Sequence, residues 1–155
     1  YVSESKDYRF VLGLGNPELR FNLYEKFIVL GLNFFTIKSS NAEIGSFNVK
    51  IEEGCSVLSG AIISNSVFIG KGCLIYYNSV ITHDCSLGDF VQVSPNVTIS
   101  GRCKIGSFTS IGVNASILPD VTIGKSVVIG AGAVVLNDVP DNSVIIGVPG
   151  KILKR

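Results

Sequence analysis

The chain has 155 residues, 13 Lys and Arg against 12 Asp and Glu for a net charge of +1, and 46% apolar residues. That length supports one core of real size, and a near-neutral charge with no basic cluster beyond the tail residues Lys151, Lys154 and Arg155 argues against a nucleic-acid partner. No apolar run reaches the roughly 18 residues that a membrane-spanning helix needs, so no membrane span is expected.

The chain starts at Tyr1 without a signal-peptide pattern and contains no Met, so an upstream portion is expected to be missing. Arg9 to Leu14 reads as a short strand that ends at Gly13, Gly15 and Asn16. Pro17 then opens a helix-like stretch to about Leu30, and Asn33 to Ile37 reads as another strand. Strand, glycine turn and helix suggest the last part of a small α/β unit over residues 1–40. Gly13 and Gly15 form only a Gly-x-Gly, which fits an ordinary tight turn as well as a phosphate-binding loop. Residues 38–50 read as a polar approach to the repetitive segment that begins at Ile51.

From Ile51, stepping by six to Val135 meets an aliphatic residue at each of fifteen positions, and the position four further along each hexad is small or β-branched throughout, from Cys55 to Val139. Neither a helical period nor simple alternation reproduces this. Each hexad makes a short strand with two inward side chains and a corner, and three such strands close a triangular coil. The fold class is therefore mainly β, a parallel β-helix over residues 41–155 of about five coils, about 24 Å tall at ~4.8 Å per coil. Glycines such as Gly70, Gly88, Gly106, Gly112, Gly124 and Gly130 are expected to supply strained corner dihedrals. No hexad is interrupted, so chemistry belongs on the faces of the prism or between neighbouring prisms.

His83 is the one histidine and sits at or next to a corner, followed directly by Asp84. Imidazole takes a proton near neutral pH, and an adjacent carboxylate can hold its ring, so the pair fits a general base; taken alone, a lone histidine is more often a solvated surface residue, by roughly three to one. Cys55 and Cys73, and Cys85 and Cys103, are each one coil apart at the small inward position. They read as reduced thiols filling the core of a cytoplasmic protein. A three-histidine zinc site is rejected, since one histidine cannot supply it without a symmetry axis, and no metal is expected. Tyr76 and Tyr77 read as exposed aromatics at a groove or a subunit interface.

The chain resembles the NeuD/PglD-type sugar acyltransferases of the hexapeptide-repeat acetyltransferase superfamily. The resemblance rests on Thr82-His83-Asp84-Cys85-Ser86-Leu87-Gly88-Asp89-Phe90, Val93-Ser94-Pro95, Ser100-Gly101, the run from Ile129 to Val135, and Gly147-Val148-Pro149. It implies left-handed coils, and residues 1–40 as the end of a nucleotide-sugar-binding domain. It also implies acetyl-CoA as co-substrate and a homotrimer with sites between subunits. His83 would deprotonate an acceptor amine, with Asp84 raising its basicity, and the Gly101 N–H would polarise the thioester. Gln92, Gly101, Val113 and Ala131 would contact the cofactor, and Gly15, Asn16, Arg20 and Tyr76 the sugar substrate. The sequence departs from the family at Gln92, where histidine often stands, at Tyr76, where asparagine is frequent, and at Gly150, where alanine is usual.

The activity so implied is N-acetylation of a nucleotide-linked amino sugar, such as a UDP-4-amino-4,6-dideoxy sugar, for bacterial glycan synthesis. Sialic acid or other sugar O-acetylation stands as the alternative enzyme reading. A non-catalytic structural solenoid stands as the alternative of another class.

Overall fold

The computed structural model describes residues 8–153; the expectations about Tyr1 and the tail residues Lys154 and Arg155 lie outside them. Strand β1 (Arg9–Phe10) leads through the glycine turn into helix α1 (Pro17–Val29), and β2 (Asn33–Phe34) returns parallel to β1. The helix begins where its sequence says it should. Pro17 fits the first turn, where no intrahelical N–H partner is needed, and the Asn16 side chain accepts the Leu19 N–H at 3.0 Å.

The rest is the left-handed parallel β-helix. Its first face runs from β3 (Ile37–Lys38) to Val144–Ile146 and is closed by the antiparallel strand Lys151–Ile152. The second face runs from β4 (Glu43–Ile44) to Val134–Val135, and the third from β5 (Lys50–Ile51) to Thr122–Ile123. Successive coils pair in register three hexads apart, as in Val80 with Thr98 and Ile81 with Ile99. Both inward positions of the hexad are buried, from Cys55 and Val57 to Val135 and Val139. The polar inward residues are satisfied: Ser79 Oγ donates to Tyr76 O at 2.7 Å and Thr109 Oγ1 to Gly124 O at 2.8 Å.

Two expectations are corrected. The first is the extent of the β-helix, which has about six turns rather than five, or about 29 Å at ~4.8 Å per coil. The stretch read as a polar approach is its first coil: β3, β4 and β5 pair with Ser56–Val57, Ile62–Ile63 and Phe68–Ile69. In β3 and β4 that pairing spans one residue more than three hexads, Ile44 lying against Ile63, whereas in β5 it spans three hexads, Ile51 against Ile69. One extra residue between Ile44 and Ile51 therefore breaks the six-residue step and hides the coil from a periodicity search.

The second correction concerns the corners. Positive φ recurs every six residues, but at Ser66, Asn78, Asp84, Phe90, Asn96, Arg102 and their successors, not at the predicted glycines. Gly106 shows what those glycines do instead: a Cβ there would stand 2.4 Å from the Gly124 carbonyl carbon of the next coil. The glycines permit close stacking of coils, not a left-handed turn.

Helix α1 docks on the corner between the third and first faces. Phe21 meets Phe90 and Phe108 edge-on at 5.3 and 5.5 Å, and Phe90 stacks on Phe108 one coil away at 5.8 Å. Lys71 adds a polar tie, reaching Glu53 at 2.8 Å and the Tyr24 hydroxyl at 3.3 Å. No described helix is long and apolar enough to cross a membrane.

Candidate active site

His83 and Asp84 lie in the turn between Val80–Ile81 and Ser86–Leu87, at the corner between the second and third faces. Asp84 has φ of 59°, a conformation that Asp and Asn adopt more readily than most residues. His83 Nδ1 lies 2.7 Å from Asp84 Oδ2. An ionised carboxylate only accepts, so Nδ1 carries the proton and the neutral ring keeps its lone pair on Nε2. Nε2 is therefore the atom that can take a proton from an incoming group. Both side chains are about half exposed, at 54% each, so the ring is open to a ligand.

The next coil carries Gly101 directly against this ring. A Cβ at Gly101 would stand 2.6 Å from His83 Cε1 and 2.7 Å from Nε2, closer than atoms can pack. Only glycine leaves the imidazole its place. Gly101 O accepts the Asp120 N–H at 3.0 Å, while among the described residues the Gly101 N–H donates to no other backbone group. Beside the corner, a groove of about 450 Å³ runs along the third face past Asn48, Lys50, Phe68, Asp84 and Ser86. A hollow of about 600 Å³ lies elsewhere, under Gly147 to Leu153.

The structure thus gathers His83, Asp84 and Gly101, and separates the other expected site residues from them. Val113 and Ala131 lie one coil apart at a different corner, between the first and second faces, where the Gly132 N–H donates to Val113 O at 2.8 Å. Val113 is 42% exposed. Gln92 and Tyr76 belong to the first face. Gln92 Nε2 donates to Ser94 Oγ at 3.2 Å, and its Oε1 would lie 3.3 Å from a Cβ on Gly15. Tyr76 packs edge-on against Tyr77 at 6.3 Å. Asn16 is exposed, and its side chain is engaged as the helix cap.

Arg20 is a correction. Expected at the sugar substrate, it is 1% exposed and turned inward. Its guanidinium donates to Leu14 O and Gly15 O at 2.8 Å, Gly72 O and Phe90 O at 2.9 Å, and Val91 O at 3.2 Å. Burial lowers its pKa from the ordinary arginine value, and five carbonyls compensate the lost hydration. The side chain clamps the glycine turn and α1 to the coils.

The sequence reading missed Arg102 and Asp120. Arg102 Nε and Nη2 donate to the two Asp120 carboxylate oxygens at 2.6 and 2.8 Å, beside the His83 corner. The signal was available: Asp84, Arg102 and Asp120 follow one another at intervals of three hexads, the length of a coil.

A family model described as bacterial transferase hexapeptide (six repeats) matches residues 66–101 and again 102–137. No curated protein matches the chain. Among solved structures, PerB from Caulobacter crescentus in complex with CoA and GDP-perosamine is 33% identical with a TM-score of 0.92, over 95% of this chain and 70% of that one. The acetyltransferase domain of PglB from Neisseria gonorrhoeae is 30% identical with a TM-score of 0.88, over 92% and 69%. WeeI from Acinetobacter baumannii is 28% identical with a TM-score of 0.76, over 97% and 74%. With the six-residue repeat, the histidine–aspartate corner and relatives that match nearly all of its length, the chain belongs to the NeuD/PglD-type sugar acyltransferases of the hexapeptide-repeat superfamily.

Proposed function

We propose that the chain transfers the acetyl group of acetyl-CoA to the amino group of a nucleotide-linked amino sugar, with His83 as general base. The observation that carries this reading is the His83 ring fixed by Asp84 with Nε2 against Gly101, in a chain similar to PerB, whose structure holds CoA and GDP-perosamine. The acceptor's free amine attacks the thioester carbonyl carbon, and His83 Nε2 takes the proton that the nitrogen sheds. The Gly101 N–H donates to the developing oxyanion. The C–S bond then breaks, and the CoA sulfur leaves with the proton that His83 returns. A positioned base contributes about 10²–10⁴-fold and one oxyanion donor about 10²–10³-fold.

The working unit in this reading is a homotrimer. His83 stands at one corner, and Val113 and Ala131, the expected cofactor contacts, at another. One ligand can touch both sets only where the corners of two copies meet. Gly15, Asn16 and Tyr76 remain the proposed acceptor contacts, Gln92 a proposed cofactor contact, and the cytoplasm, which supplies acetyl-CoA, the proposed compartment. The direct test is His83→Ala, assayed with acetyl-CoA and a panel of nucleotide amino sugars alongside hydroxyl acceptors such as sialic acid. Turnover on the amine falls by about 10²–10⁴-fold while acetyl-CoA affinity, measured by calorimetry, stays constant. Unchanged turnover would remove His83 from the mechanism, and turnover on the hydroxyl alone would replace the amine.

A further inference from the structure

Asp84, Arg102 and Asp120 occupy the same corner position in three successive coils, with φ of 59°, 61° and 65°. Backbone bonds hold them in register: the Arg102 N–H donates to His83 O and the Asp120 N–H to Gly101 O, each at 3.0 Å. An acid, a base and an acid therefore stand one coil apart, at the ~4.8 Å spacing of paired strands. Arg102 has a carboxylate on either side, and its fork serves only one of them at a time. Both prongs go to Asp120, at 2.6 and 2.8 Å, while Asp84 Oδ2 meets His83 Nδ1 at 2.7 Å.

We propose that Asp120 is a positioning residue: by holding Arg102 in a two-pronged ion pair, it keeps that guanidinium off Asp84 and leaves the Asp84 carboxylate to His83. Released from Asp120, Arg102 turns to the other acid within reach. It then offsets the negative charge beside the imidazole and competes with Nδ1–H for the carboxylate. The protonated ring becomes less favourable, and its orientation is no longer fixed. Asp120 thus touches neither substrate nor His83, and acts through Arg102 and Asp84.

The other charged and titratable groups around the corner are the same whichever acid holds Arg102. In the coil before His83, Asn65 and Ser66 carry no charge. Lys50, on the groove wall, pairs with Glu52 at 2.5 Å, and Lys104 lies opposite Ser86 on the third face. Asp138 accepts the Thr122 N–H at 2.7 Å. Behind the ring, the Cys85 thiol is lowered to about 7 by the hydrogen bond from Cys103, and the Cys103 thiol is pushed up in turn. Consistent with the pairing, Arg102 is held above and Asp120 below their ordinary values, each mainly by the bond to the other.

The consequence for catalysis rests on His83 being the base, but the physical test does not. His83 is the one histidine of the chain, so histidine-selective isotope labelling gives a single imidazole signal to titrate by NMR. Asp120→Asn moves its midpoint down by about half a unit, and Arg102→Gln, which leaves Asp120 unneutralised, moves it up by a similar amount. The double variant returns to within about 0.2 unit of the parent, and at 1 M salt, where the Debye length is about 3 Å, the single shifts shrink. Asp120 is 63% and Arg102 54% exposed in their side chains, so both variants are expected to fold, which far-UV circular dichroism checks. Equal midpoints, or shifts in the same direction, overturn the proposal. In the acetyl-transfer assay the acid limb of kcat/KM follows the NMR midpoint. If the midpoint moves and the rate profile does not, the charge ladder stands and the assignment of His83 as base falls.

Discussion

Gly101→Ala isolates the geometry on which the mechanism depends. The added Cβ would stand 2.6 Å from His83 Cε1, 2.7 Å from Nε2 and 3.2 Å from Nδ1. Carbon atoms pack at about 3.5–4.0 Å, so the ring must retreat by about 1 Å. The backbone at Gly101 is not in the left-handed region, so alanine itself is tolerated there, and the half-exposed imidazole can swing outward without disturbing the core. A misplacement of about 1 Å at a reacting group costs on the order of 10²-fold. Gly101 itself is buried, but the group that yields is a half-exposed ring and not the core, so the stability cost stays within about 0.5 kcal/mol, or under about 2 °C in Tm. Thiol release from acetyl-CoA should therefore fall about a hundredfold in kcat/KM, with thermal unfolding unchanged. In a His83→Ala background there is no ring to displace, and the same change costs no more than about threefold. A full-speed Gly101→Ala enzyme, or an equal loss in both backgrounds, refutes the claim that Gly101 leaves space for this ring.

Asp84→Asn tests the tautomer argument. An amide can donate to Nδ1 and move the ring proton to Nε2, so kcat falls by about 10²-fold or more, at least as far as in Asp84→Ala; a milder loss in Asp84→Asn would contradict it. Arg20→Leu strips five carbonyls of a buried cation and should destabilise the chain by about 3 kcal/mol or more in denaturant unfolding, and a surface-like cost would show that water replaces the guanidinium. Mixing His83→Ala subunits with Ala131→Trp subunits should restore activity that neither has alone, at roughly a quarter of the sites for random pairing; no recovery would place both residues' contributions within one subunit.

The six-residue step dictated the architecture because each hexad meets the same local requirement: two inward side chains, then a corner. The adjacency of His83 and Asp84 was equally legible, since neighbours in a tight turn need no tertiary information to meet. What the chain order could not convey was set by stacking. The first coil escaped notice because one inserted residue shifts the frame, although Ala42, Ile44 and Val49 pack against the core as later hexads do. Arg20, polar and on a helix, looked like a ligand contact; its inward turn depends on carbonyls 52 to 71 residues away. The placement of Nε2 against Gly101, and the choice of Arg102 between two acids, arise from groups three hexads apart in sequence and one coil apart in space. Sequence alone thus determined the coil and the meeting of His83 with Asp84, because both are local. Tertiary structure alone decided which backbone faces the His83 ring, where the Arg102 guanidinium goes, and which expected contacts lie away from that corner, because those are fixed only when one coil rests on the next.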